Sequence, residues 1–441
     1  MTLANSPAPA APPANRSTPA SLLNNRWIRI LSVSFVMYTI AYIDRTNISM
    51  ALPQMTKELG LDPRQAGEAL GIFFWGYLLF QIPGGYLAQH WSAKRVVAIL
   101  ITLWGVCSIA TGWVETAHQL WIMRLLLGIA EGGVWPAVLV LIARWFPRAE
   151  RARANAYWML CLPASVVISS PISGWLLGHW NWRVLLVVEG AFPFLWLIPW
   201  MLAIEDLPEN AAWMAPGERE HLRQALDGET AALQATGKES YWAALLHPQV
   251  IILTLIYFLR NCGSYGSLFW IPTAVANASK MTALSLGWLV TVPYVLASIA
   301  MVGVAKTSDR MLERRWHTAG TLLVSGVFFL AAAGAGARSP ISSFTSLCIA
   351  TAAVYASLGP FWALPTETLA PKTVATAMGL INAFGNLGGY FGPVVVGYFA
   401  KRFGGFGYGF AALAAALFVS AALALWLRPA EKRLAVTPVS L

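Results

Sequence analysis

The sequence predicts an all-α membrane protein with twelve transmembrane helices, set as two six-helix halves around a central cavity. Three observations carry this expectation. Of 441 residues, 57% are hydrophobic and 11% charged, against about 25% charged in soluble domains. Apolar stretches of about 20 residues, enough to cross a bilayer, recur along the chain. One long polar segment, EDLPENAAWMAPGEREHLRQALDGETAALQATGKESYW, divides them into two sets of six.

The elements follow in order. Residues 1–25 (MTLANSPAPAAPPANRSTPASLLNN) lack the basic start and apolar core of a signal peptide and read as a disordered cytoplasmic tail. A first bundle, 26–204, holds spans near 29–52, 67–89, 95–113, 119–143, 154–178 and 183–203. The polar segment makes 205–247 a cytoplasmic linker, in which the helix-forming stretch from Pro216 to Leu233 predicts a short surface helix with a solvated charged face. A second bundle, 248–428, holds spans near 248–275, 284–305, 318–337, 341–364, 374–399 and 405–427, and 429–441 forms a second cytoplasmic tail.

The net charge of +10 does not point to nucleic acid, because the basic residues form no cluster on a folded soluble domain. With both termini cytoplasmic, about twenty Lys and Arg fall on the inner side and about seven outside, as the positive-inside rule requires. Cys107, Cys161, Cys262 and Cys348 fall within spans without metal-site spacing and read as small packing residues. All six histidines fall in loops or at span ends, so no histidine relay is indicated. The chain has no Walker pattern, no HExxH and no convincing G-x-S-x-G, which argues against an enzyme.

Four charges stand where lipid-facing chain should carry none: Asp44 and Arg45 in the first span, Arg124 and Glu131 in the fourth. A central transmembrane carboxylate costs about 2.5–3.5 kcal/mol to insert, so such residues usually mark an ion or proton pathway. Arg124 and Glu131 are two helical turns apart, about 10.5 Å, and share a face. Asp44 and Asn47 also share a face, while Arg45 points about 100° away. The competing reading of these charges is static ion pairs that fix helix packing.

An internal repeat supports the two halves. GGYLAQHWSAKR (Gly84–Arg95) lies between spans two and three, and GVAKTSDRMLERR (Gly303–Arg315) lies at the equivalent place between spans eight and nine. Transporters built from parallel repeats show such weak symmetry. From Gly85 through Leu87, Lys94 and Arg95 the first loop resembles the G-x-L-a-D-r-x-G-r-r/k signature of the Major Facilitator Superfamily, with Gln89 for the usual Asp and Ser92 for the Gly. In that family the Asp anchors a cytoplasmic charge network, so the resemblance implies a less firmly held outward-open state on the first-half side. Asp309 and Arg310 keep the acidic version in the second half, and Arg144 begins RWFPRAERARA, which matches the family's basic loop between spans four and five.

Within the superfamily the chain looks most like the anion:cation symporters, organic anion/proton symporters such as the galactonate, glucarate, tartrate and phthalate carriers. The likeness rests on the order and spacing of YIDRTNISMA (Tyr42–Ala51), GYLLFQIPGGYLA (Gly76–Ala88), RLLLGIAEGGVWPA (Arg124–Ala137), FWIPT (Phe269–Thr273) and GNLGGYFGP (Gly385–Pro393). It implies protonation sites at Asp44 and Glu131 and anion recognition or coupling by Arg45 and Arg124. A competition follows. An arginine beside a carboxylate keeps it ionised, and a dry cavity favours the protonated form, so an anion that takes the arginine hands the acid a proton.

Further contacts are expected from Tyr77, which matches a substrate-contacting tyrosine of that family, and from Asn382 and Asn386, four apart on one face of span eleven. Trp362 and Tyr265 are candidate cavity walls. Arg260 is either a second anion contact or an arginine reaching for the membrane interface, and the interface is favoured. Glu189 reads as structural. Leu162 occupies a place where sugar-acid carriers of the family tend to hold an amide, which tilts the substrate towards a less hydroxylated carboxylate, aromatic carboxylate or small sulfonate. The expected protein is a monomeric bacterial inner-membrane importer with a proton as coupling ion and no metal or other cofactor. Export of an acidic metabolite or drug, and a transporter-like nutrient sensor, are the alternatives.

Overall fold

The computed structural model describes residues 26–235, 243, 246–278 and 281–427, and the expected tails at 1–25 and 429–441 lie outside the described residues. Helices without strands account for the described regular structure. In the first half, span one is α1 (Val33–Glu58), span two α2 (Pro63–Gly71) with α3 (Phe73–Leu87), and span three α4 (Ala93–Thr111). Span four is α5 (Ala117–Gly132) with α6 (Val134–Trp145), span five α7 (Arg148–Met159) with α8 (Cys161–His179), and span six α9 (Trp182–Ala203). The linker carries α10 (Pro216–Ala235), where a surface helix was expected.

The second half repeats the pattern. Span seven is α11 (Pro248–Ala278), eight α12 (Ala283–Met311), nine α13 (Arg315–Ala335), and ten α14 (Pro340–Ala356) with α15 (Leu358–Thr368). Span eleven is α16 (Pro371–Gly385) with α17 (Gly388–Phe403), and span twelve is α18 (Gly407–Trp426). Among the described residues nine continuous helices are long and apolar enough to cross a membrane, and Pro63–Thr111, at 49 residues, holds two spans. Spans seven and eleven fall outside that set: Arg260, Asn261 and Ser264 lower the hydropathy of one, and a break after Gly385 divides the other into helices of 15 and 16 residues.

The interruptions inside spans have a common cause in three cases. Proline has no N–H to offer the carbonyl four residues back. In spans four, five and ten, Pro136, Pro163 and Pro360 each stand four residues after the last residue of the preceding segment, which is Gly132, Met159 and Ala356. These breaks sit beside Glu131, Leu162 and Ser357. Helix starts are fixed by side chains: the Asp62 carboxylate accepts from the Arg64 and Gln65 N–H groups in a capping box, and Ser92, Thr116 and Asn181 cap α4, α5 and α9.

The halves meet tightly at one end only. At the end away from the linker, α2 lies on α17 and α8 on α12. Gly174 and Gly287 let the latter pair touch backbone to backbone, since a Cβ on either would strike the other helix. Lys401 Nζ donates to Asp62 Oδ2 across the halves at 2.8 Å. Among the described residues no comparable packing joins α6 and α7 to α15 and α16 at the linker end.

Candidate functional site

Between the halves lies a narrow cavity. Its first-half wall is Tyr38, Arg45, Tyr77, Trp135, Met159 and Leu162, and its second-half wall is Tyr257, Tyr265, Asn382 and Asn386. Arg45 is the one cation of this lining. Its Nη2 and Nε donate to a single Glu131 oxygen, Oε2, at 2.9 and 3.1 Å, and both side chains are buried, 3% and 0% exposed. Glu131 Oε1 has no partner.

Four rings crowd the Arg45 guanidinium, at 5.9 Å for Tyr38, 5.3 Å for Tyr42, 5.0 Å for Phe73 and 4.8 Å for Tyr77. Their faces attract a cation and exclude water, so the ion pair sits in a medium of low polarity. An unpaired charge there costs far more than at a surface.

A second, smaller cavity lies within the first half, lined by Asp44, Asn47, Ser108, Thr111 and Arg124 among others. The divergence expected on α1 is therefore present: Asp44 and Asn47 face this inner cavity, and Arg45 faces the one between the halves. Ser108 Oγ donates to Asp44 Oδ1 at 2.8 Å, and the buried Trp104 indole N–H is a further donor beside the carboxylate. Arg124 and Glu131 both face α1, but they do different things. Arg124 Nη2 donates to the Arg45 carbonyl at 3.3 Å and its guanidinium lies 5.1 Å from the Phe73 ring, so the structure sets it behind Arg45 rather than in the wall of the larger cavity. Glu189 accepts from Ser173 Oγ at 2.7 Å through Oε1, and the Asn47 amide is a further polar side-chain neighbour.

Tyr77, Tyr265, Asn382 and Asn386 all reach the larger cavity. Trp362 does not line it and packs behind Tyr257 and Phe361, with centroids 5.0 and 5.4 Å away. Arg260 corrects the sequence reading. It does not run to the membrane interface but is buried, 4% exposed, with Nη1 on Asn261 Oδ1 at 2.7 Å, Nη2 on the Val354 carbonyl at 3.1 Å and Nε on Ser357 Oγ at 3.4 Å. The Ala356 break in span ten places Ser357 there. Tyr38, Met159 and Tyr257 were missed, because an aromatic or Met in a span reads as packing. The available signal was spacing: Tyr38 is seven residues before Arg45, and Tyr257 four before Asn261.

At the linker end the absent Asp of the loop signature is replaced from another helix. Gln89 is exposed, but Asp206, just past α9, accepts from Ser92 Oγ at 2.5 Å and from the Lys94 N–H at 3.0 Å, and lies 3.6 Å from Arg144. Arg144 also donates to the Gln89 carbonyl at 2.7 Å. Ser92 caps α4 by accepting the Arg95 N–H at 3.0 Å. The loop thus keeps a carboxylate, contrary to what Gln89 alone suggests. Gly85, half-buried, packs on Pro136. In the second half Asp309 pairs with Arg314 at 2.6 Å, not with its neighbour Arg310, which is exposed, and Arg314 also reaches Glu367 at 3.3 Å.

The Major Facilitator Superfamily profile matches residues 34–389 and 280–440. This chain belongs to that superfamily. It is 33% identical over 416 residues to a protein of Agrobacterium vitis named as a tartrate transporter, covering 92% of this chain and 91% of the relative. It is 28% identical over 383 residues to the quinolone resistance transporter of Acinetobacter baumannii, covering 84% and 86%. Among solved structures, a bacterial homologue of the human lysosomal transporter Spinster superposes with a TM-score of 0.74 at 17% identity, over 92% of this chain and 97% of the other. The superfamily member is a membrane transporter and not an enzyme.

Proposed function

We propose that this protein imports a small organic anion together with protons by alternating access. The observation that carries the reading is Arg45 in the wall of the cavity between the halves, paired with Glu131 buried behind it. A carboxylate or sulfonate entering the cavity meets one cation, and that cation is already engaged. The ligand wins it only by displacing Glu131, which is then a buried acid without its counter-charge and takes up a proton. The pair is thus a switch with two closed circuits, arginine with glutamate or arginine with substrate. Asp44, buried in the inner cavity beside Arg124, is the second protonation site, and Arg124 couples the two by holding the Arg45 backbone.

Tyr77, Tyr265, Asn382 and Asn386 supply neutral contacts opposite and around the guanidinium. Met159 and Leu162 give the wall apolar character, which suits a compact acid with few hydroxyls better than a long sugar acid. With the linker and both termini in the cytoplasm of a bacterium, the closed end faces outward and the carrier is described facing inward. Gly85, Gln89, Arg95, Arg144, Asp309 and Arg310 then form the cytoplasmic gating loops. The likeness to a quinolone resistance transporter favours one second reading, proton-driven export of an acidic compound through the same cavity.

A thermal-shift screen of the purified protein against tartrate, galactonate, nicotinate and sulfoacetate at two pH values tests the reading. Stabilisation by at least one acid that depends on pH is expected. Stabilisation only by cationic or neutral compounds overturns it. Uptake by whole cells with and without a protonophore separates import from export.

A further inference from the structure

The second half holds a chain of polar side chains that runs from a buried cation to the cavity. Arg260 Nη1 donates to Asn261 Oδ1 at 2.7 Å. Asn261 Nδ2 donates to the Gly385 carbonyl at 3.2 Å and to Asn386 Oδ1 at 3.4 Å. Asn386 Nδ2 donates to Asn382 Oδ1 at 3.1 Å and to the Asn382 carbonyl at 2.8 Å. Asn382 and Asn386 line the cavity, and Asn382 Nδ2 is the one amide nitrogen of the three with no hydrogen bond among the described residues. The helices that carry the chain are in backbone contact: a Cβ at Gly388 or Gly392 of α17 would strike the α11 backbone at Phe258 or Cys262.

The direction of this chain is set by a donor-only group at its buried end together with the backbone carbonyls along it. A guanidinium has five donors and no acceptor, so only an oxygen can face it. Asn261 must turn Oδ1 to Arg260 and therefore Nδ2 towards Asn386. Asn386 must answer with Oδ1, which leaves its Nδ2 for Asn382, and Asn382 must answer with Oδ1 in turn. The last amide then presents N–H to the cavity. Each link also polarises the next in the low-polarity interior. The Gly385 and Asn382 carbonyls, which only accept, hold Asn261 and Asn386 in the same sense, and the Arg260 charge strengthens the series they set; an oxygen facing the cavity would repel an anion.

We infer that Arg260 is a positioning residue for anion recognition: through Asn261 and Asn386 it fixes Asn382 as a hydrogen-bond donor to the anionic group of the substrate, without touching the substrate itself. This rests on the proposed organic anion substrate. It gives the second half, which offers no cation to the cavity, a definite part in selecting negative charge.

The test is binding of tartrate, galactonate, nicotinate and sulfoacetate, read by intrinsic tryptophan fluorescence, together with thermal unfolding of the ligand-free protein. For an acid bound by wild type, Arg260→Gln should weaken Kd about tenfold or more, the scale of a hydrogen bond to a charged group. Arg260→Lys, also donor-only, should stay within about threefold, a rescue that packing volume does not predict. In ligand-free protein the Tm losses of Arg260→Gln and Asn382→Leu should be non-additive although the residues do not touch. Wild-type Kd in Arg260→Gln, equal loss in Arg260→Lys, or strictly additive Tm losses overturns the inference. Failure of wild type to bind all four acids overturns the proposed substrate class and the anion-facing role of Asn382 with it, and the ligand-free coupling tells that failure apart from failure of the chain.

Discussion

Glu131 and Arg45 are the residues on which transport should turn, and their variants should fail differently. Glu131→Gln keeps the volume of the side chain but removes its charge, so counterflow should remain measurable while proton-driven accumulation is abolished, as read by exchange and uphill uptake in proteoliposomes. Arg45→Ala leaves Glu131 buried without its partner, which breaking of a buried pair makes about 3–5 kcal/mol destabilising. The double replacement Arg45→Met with Glu131→Leu removes both charges and should recover most of that loss in thermal unfolding while remaining inactive. Much of this site was legible in the sequence. A charge inside a span has a large cost, and residues seven apart on one helix share a face, so the two walls of α1 and the inward face of α5 were readable. What the sequence withheld was the pairing between helices. Glu131 meets Arg45 of α1 rather than Arg124 of its own helix, and no spacing rule along one chain segment contains that choice.

Among the elements, the contact of α2 with α17 and of α8 with α12 defines the closed end. The Asp62–Lys401 pair clasps it, with Lys401 half-exposed. Burial pushes the Asp62 carboxyl up, but the Lys401 ammonium and the Gln65 and Arg64 N–H groups outweigh this and hold it below the ordinary aspartate value. A lowered acid contributes stability above its ordinary value and loses it as pH falls through the lowered one. The clasp is therefore constant across neutral pH. Any pH dependence of transport between pH 5 and 8 belongs to other groups. Exposed pairs are worth about 0.2–1 kcal/mol, so Asp62→Asn should shift the closed-to-open ratio at this end by about fivefold at most. Distance distributions between spin labels on α2 and α17 would show it. At the linker end Asp206→Asn should loosen the start of α4, since Asp206 bonds Ser92 Oγ and the Lys94 N–H, and lower the Tm, while Arg144 keeps its bond to the Gln89 carbonyl. Sequence reasoning expected the network to be weakened by Gln89 because a loop signature is read in place, whereas Asp206 arrives from just past α9, more than a hundred residues away.

For the whole molecule, hydropathy and the polar linker made the twelve-span architecture readable. The two spans whose apolar runs are broken, seven and eleven, carry the second half's site residues. In span seven the polar groups that lower its hydropathy include Arg260 and Asn261, and in span eleven the break falls at Asn386. The halves are unequal in charge: the first brings Arg45, Glu131, Asp44 and Arg124, and the second brings amides ordered from Arg260. Proton coupling should therefore survive substitutions at Asn382 and Asn386 that weaken binding, and be lost with Glu131. The most direct test of the central claim is proton flux in proteoliposomes loaded with a pH-sensitive dye, with the acid that most stabilises the protein added outside. Wild type should acidify the lumen on addition of substrate, and Glu131→Gln should exchange substrate with no such signal. Substrate entry without proton movement in wild type, or an undiminished proton signal in Glu131→Gln, would contradict the account.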